Sequence, residues 1–251
     1  MNGVVGLETT HSALVPATPM PRALIGKVPL DMGRLSEVLM SLEGLVTRGR
    51  GGRVCTPDVE QVERAEKDVA LREALATAEL SLVGGSALVR AAGWMGSPLP
   101  QTRAGVEWLP PLVQLAREHS WRVLVVAEQP GVSEWTACVL RERYGLLAVG
   151  VAAPGVPEDG QGPWVDTLIE RIALTRPDLV WVSMATPKQE LFCQYAAVRL
   201  QPAVLMGMGS ALESLWTRRR SARTFQAAWA ALGRWARRGL AFLRVLLKAR
   251  H

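Results

Sequence analysis

Residues 178–190 read DLVWVSMATPKQE, an unbroken apolar run that gives way to Thr186, Pro187, Lys188, Gln189 and Glu190. Leu179 to Val182 do not alternate apolar with polar, so they predict a strand covered on both faces, as in a sheet held between two helix layers. The next five residues predict a helix beginning at Lys188. Thr186 is a favoured N-cap, Pro187 suits the first helical position, and Gln189 falls three residues after the cap to complete a capping box. In an open α/β sheet such a junction faces the ligand crevice, where free backbone N–H groups and Lys188 can meet an anion such as a diphosphate.

The same alternation of strand and helix extends outward in both directions. Downstream lies AVLMGMG at 203–209. Upstream come WRVLVVAE at 121–128, a helix from about Val132 to Tyr144, LLAVGVAA at 146–153 and a helix from about Trp164 to Thr175. Nearer the N-terminus, ALIGKV at 23–28, RVCTP at 53–57 and LSLVG at 80–84 predict further strands. A helical stretch around Leu35 to Leu45 and one long amphipathic run, DVEQVERAEKDVALREALATAE at 58–79, separate them. Glycine and proline mark the linkers, but GRGG at 49–52 precedes a strand rather than following one, so it predicts a turn and not a phosphate loop. Gly207-Met208-Gly209-Ser210 does follow a strand and suits a crevice. No strand is followed by GxGxxG, and no acidic residue is placed to meet a ribose, which disfavours a nicotinamide oxidoreductase.

The chain has 251 residues, 49% of them hydrophobic, enough for a substantial core. Cys55, Cys138 and Cys193 are odd in number and widely spaced, so neither a disulfide framework nor a CxxC metal site is offered, and a reducing compartment is expected. His11, His119 and His251 show no metal-ligand spacing. Residues 1–20 predict a flexible leader without the features of a signal peptide, and no run of about 18 apolar residues predicts a membrane span.

The net charge of +6 is unevenly distributed. After Glu213 there is no acidic residue, while ten basic ones follow from Arg218 to Arg250; the rest of the chain holds 19 basic against 23 acidic residues. Treated as one helix, residues 223–248 put Phe225, Trp229, Leu232, Ala236, Leu240, Leu243 and Leu247 on one stripe and the basic residues opposite. That composition predicts an interfacial helix on an anionic membrane, with Arg223, Trp229, Arg234, Trp235, Arg237, Arg238, Arg244 and Lys248 as its membrane-binding set. A helix packed on the body with a solvated basic face is one alternative. Nucleic acid is another, disfavoured by the acidic body and the lack of any nucleic-acid module motif.

DLVWVSMATPKQE, followed by LMGMGSALE at 205–213, resembles the WecG/TagA/CpsF glycosyltransferases, whose pattern is an apolar strand, Gly-x-Pro-Lys/Arg-Gln-Glu, then Gly-Val-Gly-Ala-x-Phe-Asp. VCTPDVEQVERAEKDVALREALATAELSLVGGSALV at 54–89 is similar to the family's Thr-x-Asn strand end, helix and Ala-Asp-Gly strand end. SPLPQTRAGVEWL at 97–109 is similar to its Leu-Pro-x-Arg-x-x-Gly-x-Asp-Leu segment. The resemblance covers about residues 23–217.

The resemblance implies an α/β fold: a Rossmann-like sheet with helices on both faces, spanning residues 21–217, plus a basic amphipathic C-terminal helical appendage at 218–251. It implies a metal-independent, inverting enzyme with no cofactor, which moves an N-acetylmannosamine-type sugar from a UDP donor to a polyprenyl-diphosphate-linked acceptor in cell-surface polysaccharide synthesis. Such an enzyme is cytoplasmic and peripheral on the inner face of the cell membrane, with nucleic acid not a partner and a homo-oligomer left open. Its substrate-binding residues map to Thr56, Gly84, Arg103, Glu107, Lys188, Gln189, Glu190, Gly209 and Glu213. The chain departs from the pattern where Asp58 stands for Asn, Thr102 for Arg with Arg103 adjacent, Glu107 and Glu213 for Asp, and Gly84 for the proposed catalytic Asp. Gly84 cannot take a proton from an attacking hydroxyl. Asp58, at the end of the neighbouring strand, is the candidate catalytic carboxylate, the alternative being that it caps the helix beginning there. A catalytically degenerate relative that binds a nucleotide sugar or a partner without turnover is the second expectation.

Overall fold

The computed structural model describes residues 20–94, 108–209 and 212. In chain order they form strands β1 (Arg22–Ile25) and β2 (Val28–Asp31), helix α1 (Leu35–Thr47), strand β3 (Gly52–Cys55), helices α2 (Val59–Ala65) and α3 (Val69–Ala76), strand β4 (Leu80–Ser81) and helices α4 (Ser86–Trp94) and α5 (Leu109–Glu118). Strand β5 (Arg122–Ala127), helix α6 (Val132–Tyr144), strand β6 (Leu147–Ala152), helix α7 (Pro163–Leu174), strand β7 (Leu179–Ser183), helix α8 (Lys188–Ala197) and strand β8 (Val204–Gly207) follow. Six strands make one sheet in the order β4-β3-β8-β7-β5-β6, and every neighbouring pair is parallel.

A sheet of this kind needs apolar side chains on both faces, and β5 and β7 supply them residue by residue. Val123, Val125, Leu179 and Trp181 pack with Val38 and Leu42 of α1, Leu112 of α5 and Leu140 of α6. Leu124, Val126, Val180 and Val182 point the other way, to Leu168 and Ile172 of α7 and Phe192 of α8. Trp181 is completely buried in the middle of the sheet. Each fully buried side chain of the size of Val or Leu stabilises the fold by about 1.5–3 kcal/mol before the entropy of ordering is counted. A third cluster, built from Ile25, Leu30, Val62, Leu71, Leu75 and Leu88, closes the β3 and β4 end.

Two sequence expectations need correction. ALIGKV is not a strand of the main sheet: Gly26, at φ +60, reverses the chain, and β1 and β2 pair as an antiparallel hairpin apart from it. The amphipathic run at 58–79 is not continuous either. Asp68 accepts the Leu71 backbone N–H at 3.0 Å and so caps a second helix, dividing the run into α2 and α3.

The winding fixes the place of the crevice. The chain leaves β5 for α6, on one face, and moves outward to β6; it leaves β7 for α8, on the other face, and moves inward to β8. The two connections diverge between the carboxyl ends of β5 and β7, which is where doubly wound sheets hold ligands. Among the described residues no helix is long and apolar enough to cross a membrane.

Candidate functional site

Glu128, immediately after β5, and Lys188, the first residue of α8, meet across this fork. The Glu128 backbone N–H donates to the Ser183 carbonyl at 3.1 Å, which ties the two strand ends together. Its carboxylate Oε1 accepts from Lys188 Nζ. The side chains are 15% exposed for Lys188 and 30% for Glu128, so the pair is screened less than a surface ion pair yet remains open to the crevice. Glu128 was not among the sequence candidates. Its signal was an acidic residue closing the apolar run WRVLVVAE at a strand's carboxyl end.

The start of α8 differs from the predicted capping box. Pro187 occupies the cap position, after a cis Thr186–Pro187 bond, and no side chain caps the helix. The Thr186 hydroxyl instead accepts from Gln61 Nε2 at 3.0 Å, and Arg64 donates to the Thr186 carbonyl at 3.1 Å. Gln189 turns under the neighbouring strand, where its Oε1 accepts from Gly209 N at 2.9 Å and Met184 N at 3.4 Å. Both polar side chains of the expected box are thus engaged by other elements.

Glu190 lies beneath this junction and is 3% exposed. Its Oε1 accepts from Gln61 Nε2 at 2.6 Å and from Gln189 Nε2 at 2.8 Å, while its Oε2 is buried with no hydrogen-bond partner. Burial pushes the carboxyl up to about 7, opposed by those two amide donors and helped by the charge of Asp58. Beside it, burial pushes the Cys55 thiol up to about 12 and Cys193 well above its ordinary value, so both remain neutral.

Asp58 does cap a helix: its Oδ1 accepts the Gln61 backbone N–H at 3.0 Å and its own N–H donates to Gln61 Oε1 at 3.0 Å. It is half-buried just past the carboxyl end of β3, which β8 separates from β7 and the fork. Thr56 donates to the Gly207 carbonyl at 2.8 Å, joining the ends of β3 and β8, and Ser183 donates to the Gly209 carbonyl at 3.3 Å. Gly209 takes φ +47 with open space where a Cβ would stand.

Gly84 is shaped by contact rather than by chance. Its N–H donates to the Pro57 carbonyl at 2.9 Å, and a Cβ built there would lie 2.0 Å from the Thr56 carbonyl oxygen and 2.8 Å from Pro57. In this backbone no side chain, an aspartate's included, fits at 84.

Thr56, Asp58, Gly84, Lys188, Gln189, Glu190 and Gly209 therefore lie along the carboxyl ends of β4, β3, β8 and β7, joined by Glu128 at the end of β5 and by Gln61 and Thr186, which sequence reasoning missed as a group. Arg103, Glu107 and Glu213 lie outside the described residues, as do Arg223, Trp229, Arg234, Trp235, Arg237, Arg238, Arg244 and Lys248. Among the described residues no cluster of three His, Cys, Asp or Glu side chains is placed to hold a metal ion.

Comparison with known proteins adds two findings. The profile of the "Glycosyl transferase WecG/TagA/CpsF family" matches residues 23–230. The chain is also 25% identical over 164 residues to the "N-acetylglucosaminyldiphosphoundecaprenol N-acetyl-beta-D-mannosaminyltransferase" of Staphylococcus aureus strain MRSA252, and to that of strain NCTC 8325 / PS 47. Each match covers 64% of this chain and 61% of the relative, so the chain spans about three fifths of the length of these curated relatives.

Proposed function

The chain belongs to the WecG/TagA/CpsF glycosyltransferase family, and from that premise we propose that it moves an N-acetylmannosamine-type sugar from a UDP donor to a polyprenyl-diphosphate-linked acceptor in cell-surface polysaccharide synthesis. The observation that supports this reading best is Lys188, a cation at the switch point and at the N-terminus of α8. A diphosphate there gains the lysine charge and the positive end of the α8 dipole together.

In this reading Thr56, Gly84 and Gly209 form the wall of the donor site and Lys188 holds the diphosphate. Gln189 and Glu190 support the wall from beneath, and Arg103, Glu107 and Glu213 belong to the same site. In this reading transfer proceeds with inversion, using one proton acceptor and no metal. The Asp58 carboxylate takes the proton of the acceptor hydroxyl as that oxygen bonds to the anomeric carbon. The bond from that carbon to the diphosphate oxygen breaks, and its electron pair leaves with UDP. A positioned base supplies about 10² to 10⁴ in rate, and stabilisation of the departing diphosphate a further share. The enzyme works on the inner face of the cell membrane. Residues 218–251 form its membrane-binding appendage, 21–217 its catalytic domain and 1–20 its leader.

A second reading, binding of the nucleotide sugar without turnover, is favoured by the closed contact at Gly84. Incubation with UDP-N-acetylmannosamine and a polyprenyl-diphosphate N-acetylglucosamine analogue separates the two. UDP release dependent on the acceptor is expected; binding of the donor with no release would leave the second reading standing.

A further inference from the structure

Glu190 stands where two helix starts and a glycine turn converge, yet it does not reach the crevice. When ionised, a carboxylate only accepts hydrogen bonds. Its Oε1 therefore draws the amide NH2 groups of Gln61 and Gln189 toward itself, and each glutamine must direct its carbonyl the opposite way. Those carbonyls accept from Asp58 N at 3.0 Å and Gly209 N at 2.9 Å. One buried oxygen thus decides the orientation of two amides, and the amides decide how the chain leaves β3 and β8.

We propose that Glu190 is the positioning residue of this site: its carboxylate locks Gln61 and Gln189 in one orientation, and through them pins the backbone at Asp58 and Gly209 on the two strand ends that border the crevice. The functional consequence rests on the nucleotide-sugar reading above; the positioning itself does not.

The charge on Glu190 carries the effect. Protonation leaves Oε1 an acceptor but removes the charge that makes each bond roughly twice as strong as a neutral one. It also places a donor on Oε2, which has no partner. The groups facing Glu190 are Asp58 from the start of α2, whose charge favours protonation, and the neutral thiols of Cys55 on β3 and Cys193 one turn along α8. Since burial brings the carboxyl to about 7, the lock loosens as the medium moves from mildly alkaline to mildly acidic.

The test uses the full chain labelled with ¹⁵N. In the wild type, the Asp58 and Gly209 amide resonances are expected to shift together with a shared midpoint near pH 7. In Glu190→Gln both are expected to move from their wild-type positions and to lose that titration. The exchanged pair Gln61→Glu with Glu190→Gln keeps one carboxylate and one amide between the helices, lets residue 190 still accept from Gln189, and is expected to return Gly209 toward its wild-type position. It also supplies the measurement if the single variant does not fold. Amides that neither titrate together nor respond to either variant overturn the inference. Failure of the enzyme reading looks different: no UDP release by the wild type, with the shared titration intact.

Discussion

Lys188 and Glu128 pair across the point where the chain leaves β5 and β7 in opposite directions, so the cation best placed for a diphosphate is already held by a carboxylate. On the proposed reading an incoming nucleotide competes with Glu128 for Lys188, both side chains being partly exposed to the crevice. On that reading the charge of the crevice is latent until a dianion arrives.

Lys188→Ala is expected to weaken UDP binding about 10- to 100-fold, the loss of a charge-assisted hydrogen bond worth about 1.5–3 kcal/mol. Glu128→Gln acts in the opposite sense, strengthening binding about fivefold for each kcal/mol that the ion pair contributes. Calorimetric titration with UDP at fixed ionic strength checks both, and unchanged affinity in Lys188→Ala would remove the diphosphate from this position.

Gly84→Ala is expected to lower stability by about 1–3 kcal/mol or more, because the added Cβ meets backbone carbonyls rather than a flexible side chain. Gly84→Asp is expected to be worse and to gain no transfer activity. Thermal melts decide: a Gly84→Ala protein that unfolds with the wild type would mean that the Thr56–Pro57 segment gives way and that an aspartate could be accommodated.

Much of this was legible in sequence because period and punctuation are local. The unbroken apolar runs at 123–127 and 179–182 announced a sheet covered on both faces, and the cap at Asp58 was one of the two roles that the sequence offered for it. What escaped depended on partners far along the chain. Thr186 and Gln189 had every local reason to form a capping box, but Gln61, 125 residues before Thr186, and Gly209, 20 residues after Gln189, took them instead. Glu128 pairs with a residue 60 positions away, and the closed contact at Gly84 comes from Thr56 and Pro57 on the adjoining strand end. ALIGKV and the single run at 58–79 failed for local reasons, since Gly26 could have been taken as a turn and Asp68 as a cap.

Glu190 gives the fold a pH dependence of definite sign. Burial raises its carboxyl from 4.5 to about 7, so between those values the folded chain holds a proton that the unfolded chain has released. This contribution to stability is complete below pH 4.5, falls as pH rises through about 7, and amounts to about 3 kcal/mol. Glu190→Gln is expected to flatten the melting temperature over this window. An unaltered slope would place the titration elsewhere.

The appendage proposal predicts that the full chain sediments with vesicles rich in anionic lipid, at about 1 kcal/mol for each Arg or Lys near the surface, and that a chain ending at residue 217 stays in solution. Raising the salt concentration should release the full chain. Equal sedimentation of both forms would refute a membrane role for residues 218–251.

Asp58 serves as helix cap and is proposed as base, and two substitutions separate these roles. Asparagine caps a helix about as well as aspartate, so Asp58→Asn should keep the fold within a few tenths of a kcal/mol, whereas Asp58→Ala should lose about 1 kcal/mol. Neither can accept a proton. If Asp58 is the base, UDP release falls about 10²- to 10⁴-fold in both variants, although only the alanine form is less stable. If Asp58 only caps α2, the asparagine variant transfers sugar at the wild-type rate and the alanine variant fails only where heat begins to unfold it. Undiminished UDP release by Asp58→Asn would therefore assign the proton to another carboxylate, with Glu128 the partly exposed candidate at the fork among the described residues.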